Sequence, residues 1–318
     1  MAVYLLALGS ITSIGLLKLS VFVNQMKQNF SIFSIIDKVK SSSSDERKLF
    51  LNEKNDFRFR YSILILNYLY YFLSRTVICL VASFYCTVIV AYYSSFLTAA
   101  IQLFWTLFEG VSVFLGLSCC LWATTHLIMG WVYCVCTLDT SIEIGQKVTR
   151  RSADCRESSL RAFYYRQNYI YNMIQTLNKQ SAGPITMTYV LASVVSVFCF
   201  FFSAYYDFGA KFYNIAFNTI ALTCFIGINS LNTTGARVVI KVNTIHRLIY
   251  KLILSVPHPL ALRLKALSTL DRLSQGQMGF YIGPLFCMDN YHLLVYILEA
   301  IMLYILFVTN ITLTGIQM

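Results

Sequence analysis

Charge is scarce in this chain. Asp, Glu, Lys and Arg make up 12% of its 318 residues, where a soluble domain carries about a quarter. A deficit of that size excludes an ordinary water-facing globule. Prolines number only four, and glycines fourteen. Long apolar runs with so few breakers exclude the short alternating segments of a transmembrane barrel and point to helices. The four histidines, His126, His246, His258 and His292, are scattered, so no cluster at one membrane depth is available for metal or acid–base chemistry. Nucleophile-elbow, phosphate-loop and metal-binding helix motifs are missing. Cys134 and Cys136 lie too close together for a zinc knuckle, and no histidine follows at ligand spacing. The chain is therefore expected to be no enzyme and to need no cofactor, with its ten cysteines reduced. Paired, Gly/Pro-broken spans in two halves are also missing, which weighs against a secondary transporter. A transporter or a membrane-embedded enzyme with scattered polar intramembrane residues stays as the alternative reading.

What the chain does have is apolar length: 57% hydrophobic and 15% aromatic residues, with a mean hydropathy of +0.63. The reading is an all-α polytopic membrane protein, one transmembrane domain over residues 1–318. Six spans are expected at about 3–23, 75–97, 111–135, 185–206, 212–231 and 291–311, each long enough for the roughly 30 Å hydrocarbon layer. The net charge of +11 would suit nucleic acid, but its distribution does not. The inner loops 24–74, 136–184 and 232–290 hold all the basic residues except Lys18, Arg75 and Lys211. That asymmetry predicts that these three loops are cytoplasmic and the C-terminus outside. The outer turn between the second and third spans is expected at Thr98–Gly110, which has no Lys or Arg.

The inner loops are expected to be partly helical. Leu160, Phe163, Tyr164, Ile170, Met173, Ile174 and Leu177 recur like one side of an amphipathic helix. That helix could lie on the membrane or pack against other cytoplasmic helices. Gly183-Pro184 is expected to close this loop. Arg237–Ser255 and Leu260–Leu273 also read as helices, separated by the bend at Pro257-His258-Pro259.

The last apolar run, Asn290 to Ile311, holds a single acidic residue, Glu299. Asn310 follows it by eleven residues, close to three turns, so the two share a helix face with Met302, Leu303 and Leu306 between them. An ionisable group inside a span faces a bundle interior or a water-filled path. The face can line a pore; a buried Glu paired with a polar neighbour on another helix is the plainer alternative.

The end of this run carries a resemblance. Leu303-Tyr304, then Ile305-Leu306-Phe307-Val308-Thr309, then Asn310-Ile311 resembles the Thr-Tyr, five hydrophobic residues and Gln-Phe that mark the last helix of the arthropod gustatory receptor family. Tyr304 is kept and Asn310 replaces Gln, whereas Leu303 and Ile311 depart from the pattern. Upstream, Gly279-Phe280 and Gly283-Pro284-Leu285-Phe286 resemble the glycine-aromatic stretch before that helix. The resemblance implies a taste or odour receptor that is a ligand-gated, non-selective cation channel, a homo- or hetero-tetramer whose four last helices surround the pore. It implies seven spans, the first of which has no counterpart here. Glu299, Leu303, Leu306, Phe307 and Asn310 are then the expected pore-lining residues. Tyr304, Gly279, Gly283 and Phe286 are the motif positions. Expected partners are a small-molecule tastant or odorant, permeant cations and membrane lipid, with no nucleic acid.

The family's ligand pocket opens from outside, which makes Tyr92, Tyr93, Trp105, Tyr205, Tyr206 and Phe217 the expected ligand-binding residues. Aromatic residues at these positions also suit the interfacial belt of any membrane protein. His126 is expected to be a hydrogen-bonded core residue. Asn232-Thr233-Thr234 matches a glycosylation acceptor on the wrong side of the expected topology.

Overall fold

The computed structural model describes residues 51–91, 96–150, 156–205, 211–255, 259–274, 278–283 and 286–313. The expected span at 3–23 lies outside the described residues. Six helices and one small hairpin follow in order: α1 (Glu53–Ala91), α2 (Phe96–Arg150), α3 (Arg156–Tyr205), α4 (Lys211–Ser255), α5 (Leu260–Ser274), β1 (Tyr281–Ile282), β2 (Phe286–Cys287) and α6 (Asn290–Leu313). Among the described residues the protein is mostly helical, as expected.

The helices are long. α1 to α4 contain 39, 55, 50 and 45 residues, or roughly 58 to 82 Å each at helical rise. Each is about two to three times the thickness of a bilayer's hydrocarbon layer. α1 packs chiefly on α2, α3 on α4, and α2 on both α3 and α4, while α6 leans on α3 and α4.

The core sits where the basic loops were expected. In α4, Val238, Val242, Ile245, Ile249 and Leu252 are all buried, and their alternating spacing of four and three residues makes a coiled-coil-like seam. Leu160, Phe163, Tyr164, Ile170, Met173, Ile174 and Leu177 of α3 meet it and are likewise buried. This amphipathic face therefore packs on neighbouring helices and does not lie on a membrane. α2 adds Trp131, Leu138 and Val148, and α5 adds Leu262, Ala266 and Leu273. Burying side chains of this size contributes about 1.5–3 kcal/mol each.

Polar ties hold the bundle's edge. Asp139 of α2 pairs with Lys241 of α4 at 2.5 Å and more loosely with Arg58 of α1 at 4.0 Å. Below it, the buried Asn55 amide donates to the Thr140 hydroxyl at 3.0 Å.

Boundaries follow the breakers. α4 stops at Ser255 and α5 opens at Leu260, where the Pro259 carbonyl accepts from the Arg263 N–H at 3.0 Å. α3 closes at Tyr205 and α4 opens at Lys211, close to the expected span limits at 206 and 212. Two expectations need correction. Gly183-Pro184 does not end a helix: α3 runs through it, with a bend of 54° between its two parts. Proline removes one backbone donor there, so the helix bends and continues. Nor is Thr98–Gly110 a turn. α1 closes at Ala91 and α2 begins at Phe96, so Glu109 lies within a helix. Lack of charge does not break a helix, and no proline stands between Phe96 and Arg150.

Among the described residues, Thr124–Thr149 is the one helical segment long and apolar enough by itself to cross a membrane, and 67% of its apolar 18-residue window is buried inside the protein. Glu157–Gly183 with Ile185–Phe201 passes the same criterion as a bent pair, and Asn290–Leu306 is apolar but shorter.

Candidate functional site

The last helix is fixed at its N-terminal end by several independent contacts. Asp289 precedes α6 as its cap: its Oδ1 accepts the backbone N–H of His292 at 2.8 Å and lies 2.7 Å from the His292 Nδ1. Burial opposes the charge on Asp289, but the hydrogen bonds from His292 outweigh it, and the carboxyl is held below the usual aspartate range. The His292 ring stacks flat on Phe286 at 4.7 Å. An Asp three residues before a His at the head of an apolar run is a capping signal legible in the sequence.

The hairpin before α6 shows why two of the motif glycines are glycines. At Gly279 an added Cβ would meet Val239 Cγ2 at 2.5 Å and Cys287 Sγ at 2.8 Å. Gly283 adopts φ +53°, in the left-handed region, close against Thr186. Between them Phe280 is fully buried and stacks on Trp131 of α2 at 4.4 Å. Asn178 of α3 clamps the same hairpin: its amide donates to the Gly279 carbonyl at 2.6 Å, and its Oδ1 accepts the Tyr281 N–H at 3.0 Å. Burial pushes the Cys287 thiol up to about 11, with the nearby Asp289 charge adding to it. Phe286 meets Tyr189, which also packs on Tyr296 of α6.

Beyond this anchor α6 has two different sides. Tyr296 is buried, and Ala300 and Tyr304 are half-buried toward α3 and α4. The expected pore-lining side is bare. Glu299 is exposed, and Met302, Leu303 and Leu306 are 69%, 49% and 55% exposed. Nothing else in the described chain covers them. Phe307 and Asn310 fall within α6, but their side chains lie outside the described residues. No hydrogen bond or ion pair joins Glu299 to the described residues, but it interacts electrostatically with the buried Tyr189 of α3.

Behind α6 lies an open cavity of about 550 Å³ between α3, α4 and α6, with Asn218, Leu222 and Ile301 of its lining exposed. Phe200, Leu222, Phe225 and Ile301 form apolar walls, and Ser196, Ser203, Asn218, Tyr296 and Tyr304 bring polar atoms. The Ser196 hydroxyl donates to the Ala221 carbonyl at 3.0 Å and the Ser203 hydroxyl to the Asn214 carbonyl at 3.2 Å. Of the residues expected to bind ligand, Phe217 does not line this cavity. Tyr92, Tyr93 and Tyr206 are outside the described residues, as are the side chains of Trp105 and Tyr205. The lining was missed because each residue is unremarkable alone, and only the packing of three helices brings them together.

The remaining candidates resolve plainly. The His126 Nδ1 lies 2.8 Å from the Trp122 carbonyl, one turn back in the same helix. Asn232 is buried, its amide 3.4 Å from the Tyr189 hydroxyl, and is closed to glycosylation. The described cysteines Cys134, Cys136, Cys199, Cys224 and Cys287 are free. No group of three or more metal-ligating side chains occurs among the described residues. No protein-family model matches the chain, and no curated protein sequence matches it significantly.

Proposed function

We propose that this chain is the subunit of a ligand-gated, non-selective cation channel of the gustatory-receptor type, a six-span protein of the plasma membrane with its C-terminus outside. The observation that carries the reading is the bare face of α6, apolar except for Glu299. Lipid would cover its leucines well enough, but a carboxylate against acyl chains is costly. Copies of the same face around a shared axis resolve this, because each Glu299 then meets water and passing cations. Rings of acidic side chains favour cations by offering fixed negative charge to a partly dehydrated ion.

The helix lengths fit this arrangement. If Ala91, Phe96, Tyr205 and Lys211 mark the outer ends, about 20 residues of each helix suffice to cross the bilayer. The third span then occupies roughly 96–120 of α2, shifted outward from 111–135. The buried stretch from Leu127 to Val148 becomes core of an inner bundle, together with the basic parts of α3 and α4. The exposed leucines of α5, Leu260, Leu264 and Leu267, give that bundle an apolar flank for neighbouring subunits.

Assembly tests the reading. Chemical cross-linking of the full chain in mild detergent should give a ladder that ends at four subunits. A monomer band alone, from protein that still melts cooperatively, contradicts it.

A further inference from the structure

We propose that the cavity between α3, α4 and α6 is a binding site for a small, neutral molecule with an apolar body and one hydroxyl group. The inference deepens the channel reading by naming its ligand class, but the binding claim itself does not require that current flows.

The lining sets the chemistry. No charged residue contributes to it, so an ionised ligand would find no counter-charge there. The walls formed by Phe200, Leu222, Phe225 and Ile301 call for a hydrocarbon or aromatic body. A volume of about 550 Å³ suits a molecule of roughly ten to twenty non-hydrogen atoms.

The polar atoms narrow the class further. Ser196 and Ser203 have each committed their one proton to a backbone carbonyl of α4, so toward the cavity they present lone pairs only. They ask the ligand for a donor. Asn218 lies one turn along α4 from Asn214, the residue whose carbonyl holds Ser203, so Asn218 and Ser203 belong to the same end of the cavity. The Asn218 amide has no partner among the described residues, and it brings both a donor and an acceptor. One hydroxyl satisfies both neighbours, giving its proton to Ser203 Oγ and accepting from the Asn218 amide. A hydrocarbon or a lipid acyl chain satisfies neither.

Depth and position make the site reachable and consequential. Ser203 is two residues from the end of α3 and Asn218 seven from the start of α4, so this end of the cavity lies near where α3 closes and α4 opens, on the proposed outer side. On α6, Ala300 and Tyr304 stand roughly 100° and 140° round the helix from Glu299. A bound molecule therefore presses on the back of the helix whose front is bare.

Thymol and p-cymene share one skeleton and differ by the hydroxyl, which makes them a suitable pair. With the purified full chain in phospholipid nanodiscs, thymol should bind saturably and p-cymene at least tenfold more weakly. Asn218→Leu should bring thymol down to the p-cymene level. Ala300→Phe, which fills the cavity, should abolish saturable binding of thymol; Leu222→Trp fills it from α4 if that variant does not fold. Equal binding of the two probes points to an acyl-chain groove and overturns the proposal. Thymol binding that survives both Asn218→Leu and a folded cavity-filling variant, or no saturable thymol binding at all, overturns it as well. Saturable, Asn218-dependent binding in a protein that forms no tetramer and passes no cations keeps the site and removes the channel.

Discussion

In α2, Leu127, Trp131, Cys134 and Leu138 are almost wholly buried against this chain's own helices, whereas in α6 Leu298, Met302, Leu303 and Leu306 are about half exposed or more. Both stretches are apolar at helical spacing, and hydropathy does not tell them apart. The difference lies in what surrounds them. α2 is enclosed by α1, α3 and α4, while α6 is held along one side and at its N-terminal end. Apolar spacing says that a face will be covered; it does not say whether the cover is this chain, lipid or another subunit. For α2 the answer is in the fold. For α6 the clue is Glu299, which a lipid-facing surface would not favour.

The largest test of this contrast is a pair of truncations. Trp131→Ala removes a fully buried ring stacked on Phe280 and should cost about 3–5 kcal/mol, read as a large fall in melting temperature or as lost folded protein. Met302→Ala, on the bare side, should change the stability of the isolated subunit by less than about 0.5 kcal/mol. Equal losses in the two variants would erase the distinction.

A middle-sized effect sharpens the role of the anchor. Asn178→Leu removes both hydrogen bonds to the hairpin and should cost about 2–3 kcal/mol, with the freed backbone groups left unpaired. Protease sensitivity should rise at 278–289 before any change in the α2–α3–α4 core.

Asp289→Ala is smaller, about 1 kcal/mol for a lost cap. Its pH signature separates it from a packing defect. The folded carboxyl titrates below its ordinary value, so its stabilising share is complete above about pH 4. That share is lost as pH falls through the lower, folded value. The gap between wild type and variant should therefore close on acidification, as read from melting curves between about pH 2 and 5.

Much of the fold was legible where a local rule governs. Pro257 and Pro259 mark the break between α4 and α5, and the apolar spacing from Leu160 to Leu177 marks the buried face of α3. The turn expected at Thr98–Gly110 shows a limit: absence of charge is no loop signal, and without a proline the stretch continues as helix. The Asn178 clamp and the Asp139–Lys241 pair were not legible, because their partners stand about a hundred residues apart in the chain. At the site, Glu299, Leu303 and Leu306 were placed on one face by spacing alone, and they share the bare side of α6. The cavity behind them was invisible, since Ser196, Asn218 and Tyr304 only meet through packing.

Permeation through Glu299→Gln tests the central claim most directly. Single-channel recording is paired with surface labelling of the same cells. If the bare face of α6 lines a cation path, the variant reaches the surface at near-normal levels and its conductance or cation selectivity falls. Unchanged permeation at normal surface level, or loss of surface protein with normal selectivity in the channels that remain, would contradict it.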